Sequence, residues 1–95
     1  MLFEWDDEKE RLNIAKHGIS FSTAAKLFND VYRIEMYDEI HSTEEDRYIT
    51  IGRISDTILI VTLVYTDRNN VIRIISARMA TKKEEEAYFR YEEND

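Results

Sequence analysis

Apolar residues in this chain recur with two different periods, and the changes of period divide it into elements. Phe21, Ala24, Ala25 and Phe28 recur at spacings of three and four, the interval that lines up one face of a helix. Ser20 just before them is a suitable N-cap, since its hydroxyl accepts a bond from a free amide of the first turn. From Arg47 to Ile54 the chain alternates instead, with Arg47, Ile49, Ile51 and Arg53 on one face and Tyr48, Thr50 and Gly52 on the other, as in a strand. Thr57 to Tyr65 is apolar on both faces and reads as the central strand. Asp67-Arg-Asn-Asn70 is a turn tetrad. Val71 to Ala77 is a β-branched run suited to a pleated, packed surface.

The flanks follow the same logic. Leu2 to Trp5 reads as a short leading strand, and Asp6 caps a first helix from about Asp7 to Lys16 whose inner stripe is Leu12, Ile14 and Ala15. Gly18 fits the left-handed position that ends a helix, with Lys16 and His17 in its last turn. Val31 to Tyr37 is a further strand, and Asp38 to Asp46 is an acidic loop. Thr81-Lys-Lys-Glu84 has the spacing of a capping box, so a last helix runs from Lys82 to about Tyr91 and turns Ala87, Tyr88 and Tyr91 to the sheet. The predicted architecture is α+β: N-terminal helices, a mostly antiparallel four-stranded twisted sheet and a C-terminal helix. With helices on one side of the sheet, the other side is left partly open to a ligand or partner.

Composition narrows the function. The 95 residues support one core, hence a single domain over 1–95. A net charge of −7 argues against indiscriminate coating of nucleic acid. Yet residues 66–83 carry Arg68, Arg73, Arg78, Lys82 and Lys83 against Asp67 alone, so a basic site sits in an acidic shell. The absence of cysteine excludes disulfides and thiolate metal sites. The longest apolar run is less than half of the roughly 20 residues that a membrane helix needs, so the expectation is a soluble, cytoplasmic protein. The carboxylates of the acidic loop lack the ordered spacing of a calcium site, and no metal or other cofactor is expected.

Arg73 and Arg78 are the leading candidates for chemistry. A guanidinium in an apolar run must meet an anion or water, and a capped helix start with free amides follows directly. The anion is either a carboxylate of the acidic final helix or a phosphate or carboxylate ligand. Five residues apart in a regular strand, the two arginines point to opposite faces, so a common site requires the strand to bend or end near Ala77. Lys82 and Lys83 are either solvated lysines of a first helical turn or part of the same basic edge. Arg47 is either one member of a charge cluster with Glu44, Glu45 and Asp46 or a third cation on the sheet. His17 either complements the dipole of the first helix or titrates in a reaction, whereas His41 reads as solvated. Tyr48 either stacks on bases or belongs to the core.

Phe3-Glu-Trp-Asp6, Asn13, Lys16-His-Gly18, Phe21, Ala24-Ala25, Phe28-Asn-Asp30, Arg47-Tyr48, Ile51-Gly52, Arg73-Ile-Ile-Ser-Ala-Arg78, Ala80-Thr81, Glu84 and Tyr88 together resemble the BrnT toxin family over nearly the whole chain. The resemblance implies a toxin of a type II toxin–antitoxin system with a RelE-like fold, acting as a metal-independent ribonuclease that blocks translation. It also implies a BrnA-like antitoxin that neutralises the toxin and carries the complex to operator DNA, and it allows a toxin dimer within a hetero-oligomer. It assigns Arg73, Arg78, His17, Lys16 and Arg47 to catalysis, with Glu84 and Tyr88 in the same pattern. Lys82, Lys83 and Tyr48 are the candidate RNA contacts. The alternative is a non-enzymatic binding module that serves only as antitoxin partner and transcriptional co-repressor.

Overall fold

The alternating segments pair as strands and the helical segments flank them on both sides, in a computed structural model that describes residues 1–94. Along the chain run β1 (Leu2–Glu4), α1 (Asp7–His17), α2 (Phe21–Ala24) continued by a 3-10 turn (Ala25–Asn29), β2 (Ile34–Tyr37), β3 (Tyr48–Arg53), β4 (Ile60–Arg68), β5 (Val71–Met79) and α3 (Lys82–Glu93). The sheet has five strands, not four, in the order β1-β5-β4-β3-β2. β2 to β5 form an antiparallel meander, in keeping with the mostly antiparallel sheet expected. β1 adds to its edge in parallel with β5, Phe3 opposite Ile72 and Glu4 opposite Arg73. A parallel neighbour needs a long connection, and here nearly the whole domain intervenes.

One face of the sheet carries Val61, Leu63, Tyr65, Ile72, Ile74 and Ala77, packed against Ile19, Phe21, Ala24 and Leu27. Gly52 permits the approach of the 3-10 turn, since a Cβ there would lie 3.1 Å from Arg33 Cβ and 3.2 Å from Leu27 Cβ. The second face is not left wholly open, because α3 crosses it. Tyr88 is fully buried against Ile51 and Ile60, and its hydroxyl donates to Asp30 at 2.5 Å. Tyr91 and Ala87 turn to solvent instead of to the sheet, because the sheet-facing row runs through Glu84, Tyr88 and Glu92 at intervals of four.

The inner stripe expected for α1 is also corrected. Leu12 and Ile14 are 53% and 43% exposed, and the buried residue between them is Asn13. β1 covers the edge of β5 only from Val71 to Arg73, so the backbone beyond needs another partner. Asn13 supplies it: its side-chain amide donates to Ala77 O at 2.8 Å and its carbonyl accepts from Ala77 N at 3.2 Å. A helix with almost no apolar stripe is thus held to a sheet edge by one buried amide. Gly18 ends it at φ 72°. Among the described residues, no helix is long and apolar enough to cross a membrane.

Candidate functional site

The strand carrying the basic residues is bent as the common site requires, two residues earlier than Ala77. Val64 pairs with Ser76 but Tyr65 pairs with Ile74, which leaves Ile75 as an extra residue in β5. Such a bulge resets the alternation by one. Arg73 and Arg78, odd in their spacing, therefore share the second face, opposite Thr66 and Thr62 respectively. Those threonines are four apart on β4, so the two arginine positions are separated by roughly 13 Å of strand.

The surroundings of the two guanidiniums differ. Arg78 is forked onto Glu84 of α3, Nη1 to Oε1 at 2.7 Å and Nη2 to Oε2 at 3.1 Å, and Nη1 also donates to Met79 O at 3.3 Å. The carboxylate partner on the final helix is therefore present for this residue. Glu84 is itself anchored, accepting from Thr62 Oγ1 at 3.0 Å and from Thr81 N at 2.8 Å in the expected capping box. Burial opposes its charge, but the Arg78 fork and the bonds from Thr81 and Thr62 outweigh it and hold the carboxyl at about 2. Arg73 is less committed, since its contact with Glu4 is 3.6 Å long, beyond a normal hydrogen bond.

Lys16 and His17 come from the last turn of α1 and line, with Asn13, Ile75 and Ser76, a shallow depression beside the bulge. The Asn13 clamp thus sets them against the part of β5 that lies between Arg73 and Arg78. Lys82 and Lys83 open α3 as exposed residues, and neither forms an ion pair among the described residues. Arg47 directly precedes β3 and is also without an ion pair among them. Tyr48 does not join this group. It pairs with Tyr65 on the opposite face of the sheet, ring centroids 5.5 Å apart and stacked, and belongs to the core side.

Sequence reasoning missed the polar content of β4. Thr57 to Tyr65 reads as apolar on both faces, but the strand runs from Ile60 to Arg68, and Thr62, Thr66 and Arg68 share the second face with the arginines of β5. Threonine at a spacing of four, followed by Arg68, was the available signal. Among the described residues no group of histidines and carboxylates is placed to hold a metal. The strip offers fixed cations, hydroxyls and one imidazole, a set suited to binding a polyanion and stabilising charge on phosphorus.

The family model described as the ribonuclease toxin BrnT of type II toxin–antitoxin systems matches residues 5–84. The chain shares its fold with the crystal structure of the Brucella abortus ribonuclease toxin BrnT, at a TM-score of 0.62 and 23% identity, over 86% of this chain and all of that one. No curated protein sequence matches it. The chain belongs to the family of BrnT ribonuclease toxins of type II toxin–antitoxin systems.

Proposed function

We propose that this toxin is a RelE-like, metal-independent endoribonuclease that cuts RNA in the cytoplasm and arrests translation. A BrnA-like antitoxin neutralises it and is its sole route to operator DNA. The observation that carries the reading is the bulge at Ile75, which turns Arg73 and Arg78 to one face beside the end of α1. In the reaction the 2′-oxygen of one nucleotide attacks the adjacent phosphorus and loses its proton to a base. The bond from phosphorus to the 5′-oxygen breaks, and that oxygen takes a proton from an acid, leaving a 2′,3′-cyclic phosphate and a 5′-hydroxyl. Arg73 and Arg78 neutralise the charge that builds on the phosphoryl oxygens. Arg78 keeps donors free for the phosphate, because a guanidinium has five N–H groups and the bonds to Glu84 and Met79 O occupy three. His17 exchanges the protons and Lys16 and Arg47 add positive charge, with Lys82 and Lys83 extending the RNA path.

The test is induction of the chain in cells without its antitoxin, with RNA integrity followed alongside growth. Arrest with cut RNA is expected for the wild type and neither for Arg73→Ala or Arg78→Ala, with the variants still folded by circular dichroism. Toxicity of the double alanine variant equal to the wild type would sink the assignment. One observation favours the alternative of a non-enzymatic binding module, namely that Arg78 and Arg68 already hold carboxylates, the chemistry by which an acidic antitoxin segment would be gripped. Unchanged growth and intact RNA, with co-purification of the antitoxin, would select it.

A further inference from the structure

At the end of the second face away from α3, one arginine grips a carboxylate on which the charges of two more also act. Glu45, in the loop between β2 and β3, accepts a fork from Arg68, Nη2 to Oε1 at 2.6 Å and Nε to Oε2 at 3.0 Å. That hydrogen bond, opposed slightly by burial, lowers its pKa, and the charges of Arg68, Arg47 and Arg73 lower it further. The loop is shaped to deliver this residue. Asp38 N donates to Arg47 O at 2.9 Å, and the Ser42 hydroxyl donates to Asp38 O at 2.6 Å while accepting from Arg47 N at 2.8 Å.

Thr66 lies in the same place. It pairs with Arg73 across β4 and β5, and it stands two residues before Arg68 on the same face of β4. The residue is fully buried, and its hydroxyl has no hydrogen-bond partner among the described residues. Native proteins keep few such groups, and each calls for an explanation. A buried hydroxyl on the face that carries Arg68 and Arg73 is a free donor for an anionic oxygen.

We infer that Arg47, Arg68, Arg73 and the Thr66 hydroxyl form a second phosphate subsite for single-stranded RNA, filled in the free protein by Glu45 as an internal stand-in. The inference rests on the ribonuclease reading and extends it along the strand, with Arg73 shared between this subsite and the phosphate at Arg78. Forked guanidiniums match phosphate as well as carboxylate. The exchange is easy: the Arg68 and Glu45 side chains are 48% and 42% exposed, and ion pairs that open to solvent hold weakly. A phosphate, unlike Glu45, also brings an oxygen for Thr66.

The experiment measures anisotropy of a labelled single-stranded RNA with every 2′-hydroxyl O-methylated, which can bind but cannot be cut, over a series of salt concentrations. Arg68→Ala is expected to weaken binding about fivefold to tenfold and to reduce the slope of log K against log salt by about 0.7, the share of one phosphate contact on a single strand. Thr66→Val weakens binding while leaving urea stability unchanged or raised, because the orphan hydroxyl contributes nothing to the fold. Glu45→Gln tightens binding roughly threefold by removing the competitor. Lys26→Ala, on the helical side of the sheet, leaves the slope unchanged. Wild-type affinity and slope in Arg68→Ala and Thr66→Val, no tighter binding in Glu45→Gln, or no binding of this RNA by the wild type overturns the subsite. Cleavage of unmodified RNA is scored separately. Cleavage without these binding effects removes the subsite alone, and these effects in a chain that never cuts remove the ribonuclease reading alone.

Discussion

Replacing Glu84 by Gln tests how firmly the strip is tied to α3. The variant keeps a side-chain acceptor for the Thr81 amide but removes the negative charge that Arg78 embraces. In the folded protein the carboxyl titrates at about 2, against 4.5 for an unperturbed glutamate. A difference of one in pKa is worth about 1.36 kcal/mol, which sets a ceiling of about 3 kcal/mol on the linkage. Arg78 and Glu84 side chains are 41% and 21% exposed, so solvent screening lowers the expected loss at neutral pH to about 1–2 kcal/mol. The folded-state pKa is depressed, so the stabilisation is complete above the unfolded value of 4.5 and fades as pH falls toward about 2. Urea unfolding of both proteins from pH 7 down to pH 2.5 reads it directly: the gap should be widest above pH 5 and close toward the acid end. A gap that stays constant across that range, or is absent at pH 7, would refute the account of Glu84 as an ionised anchor. A double-mutant cycle with Arg78→Ala should return a coupling of similar size.

Two further predictions concern the scaffold that aims the strip. Asn13→Ala leaves Ala77 N and O without their partner in a buried setting, so thermal unfolding should show a loss of about 2–3 kcal/mol; an unchanged midpoint would mean that α1 is held by something other than this clamp. Gly52→Ala places a Cβ 3.1 Å from Arg33 Cβ and 3.2 Å from Leu27 Cβ, and a cost of about 1–3 kcal/mol in urea unfolding is expected from forcing the 3-10 turn off the sheet. Stability equal to the wild type would show that the turn yields freely.

Local signals were legible wherever one residue's chemistry settles the matter. Asp6, Ser20 and Thr81 cap the three helices and Gly18 takes the left-handed φ, because caps depend on side chains within three or four residues. The antiparallel run of β3, β4 and β5 followed from the short turns that join them. Long-range pairing was not legible. β1 joins β5 across the whole chain, and nothing near Leu2 signals its partner. The stripe of α1 misled for the same reason: Leu12 and Ile14 look like core, but the acceptor that β5 needed lay at Asn13, and only assembly shows which edge is bare.

The candidate site divides along the same line. By itself the sequence determined that arginines and lysines gather between Arg68 and Lys83 in an acidic chain, and that a helix begins at Thr81, since charge and capping are written in residue identity. Tertiary structure decided which of those cations share a surface. The extra residue at Ile75 reverses the face of everything after it, a shift that depends on the register of β4 against β5 and not on either strand alone. It also decided that Arg78 is held by Glu84, that Tyr48 turns to the core, and that Arg68 meets Glu45 near a buried threonine hydroxyl with no partner among the described residues. Each of these is set by which backbone lies across the sheet, and a one-residue change of register would undo them all.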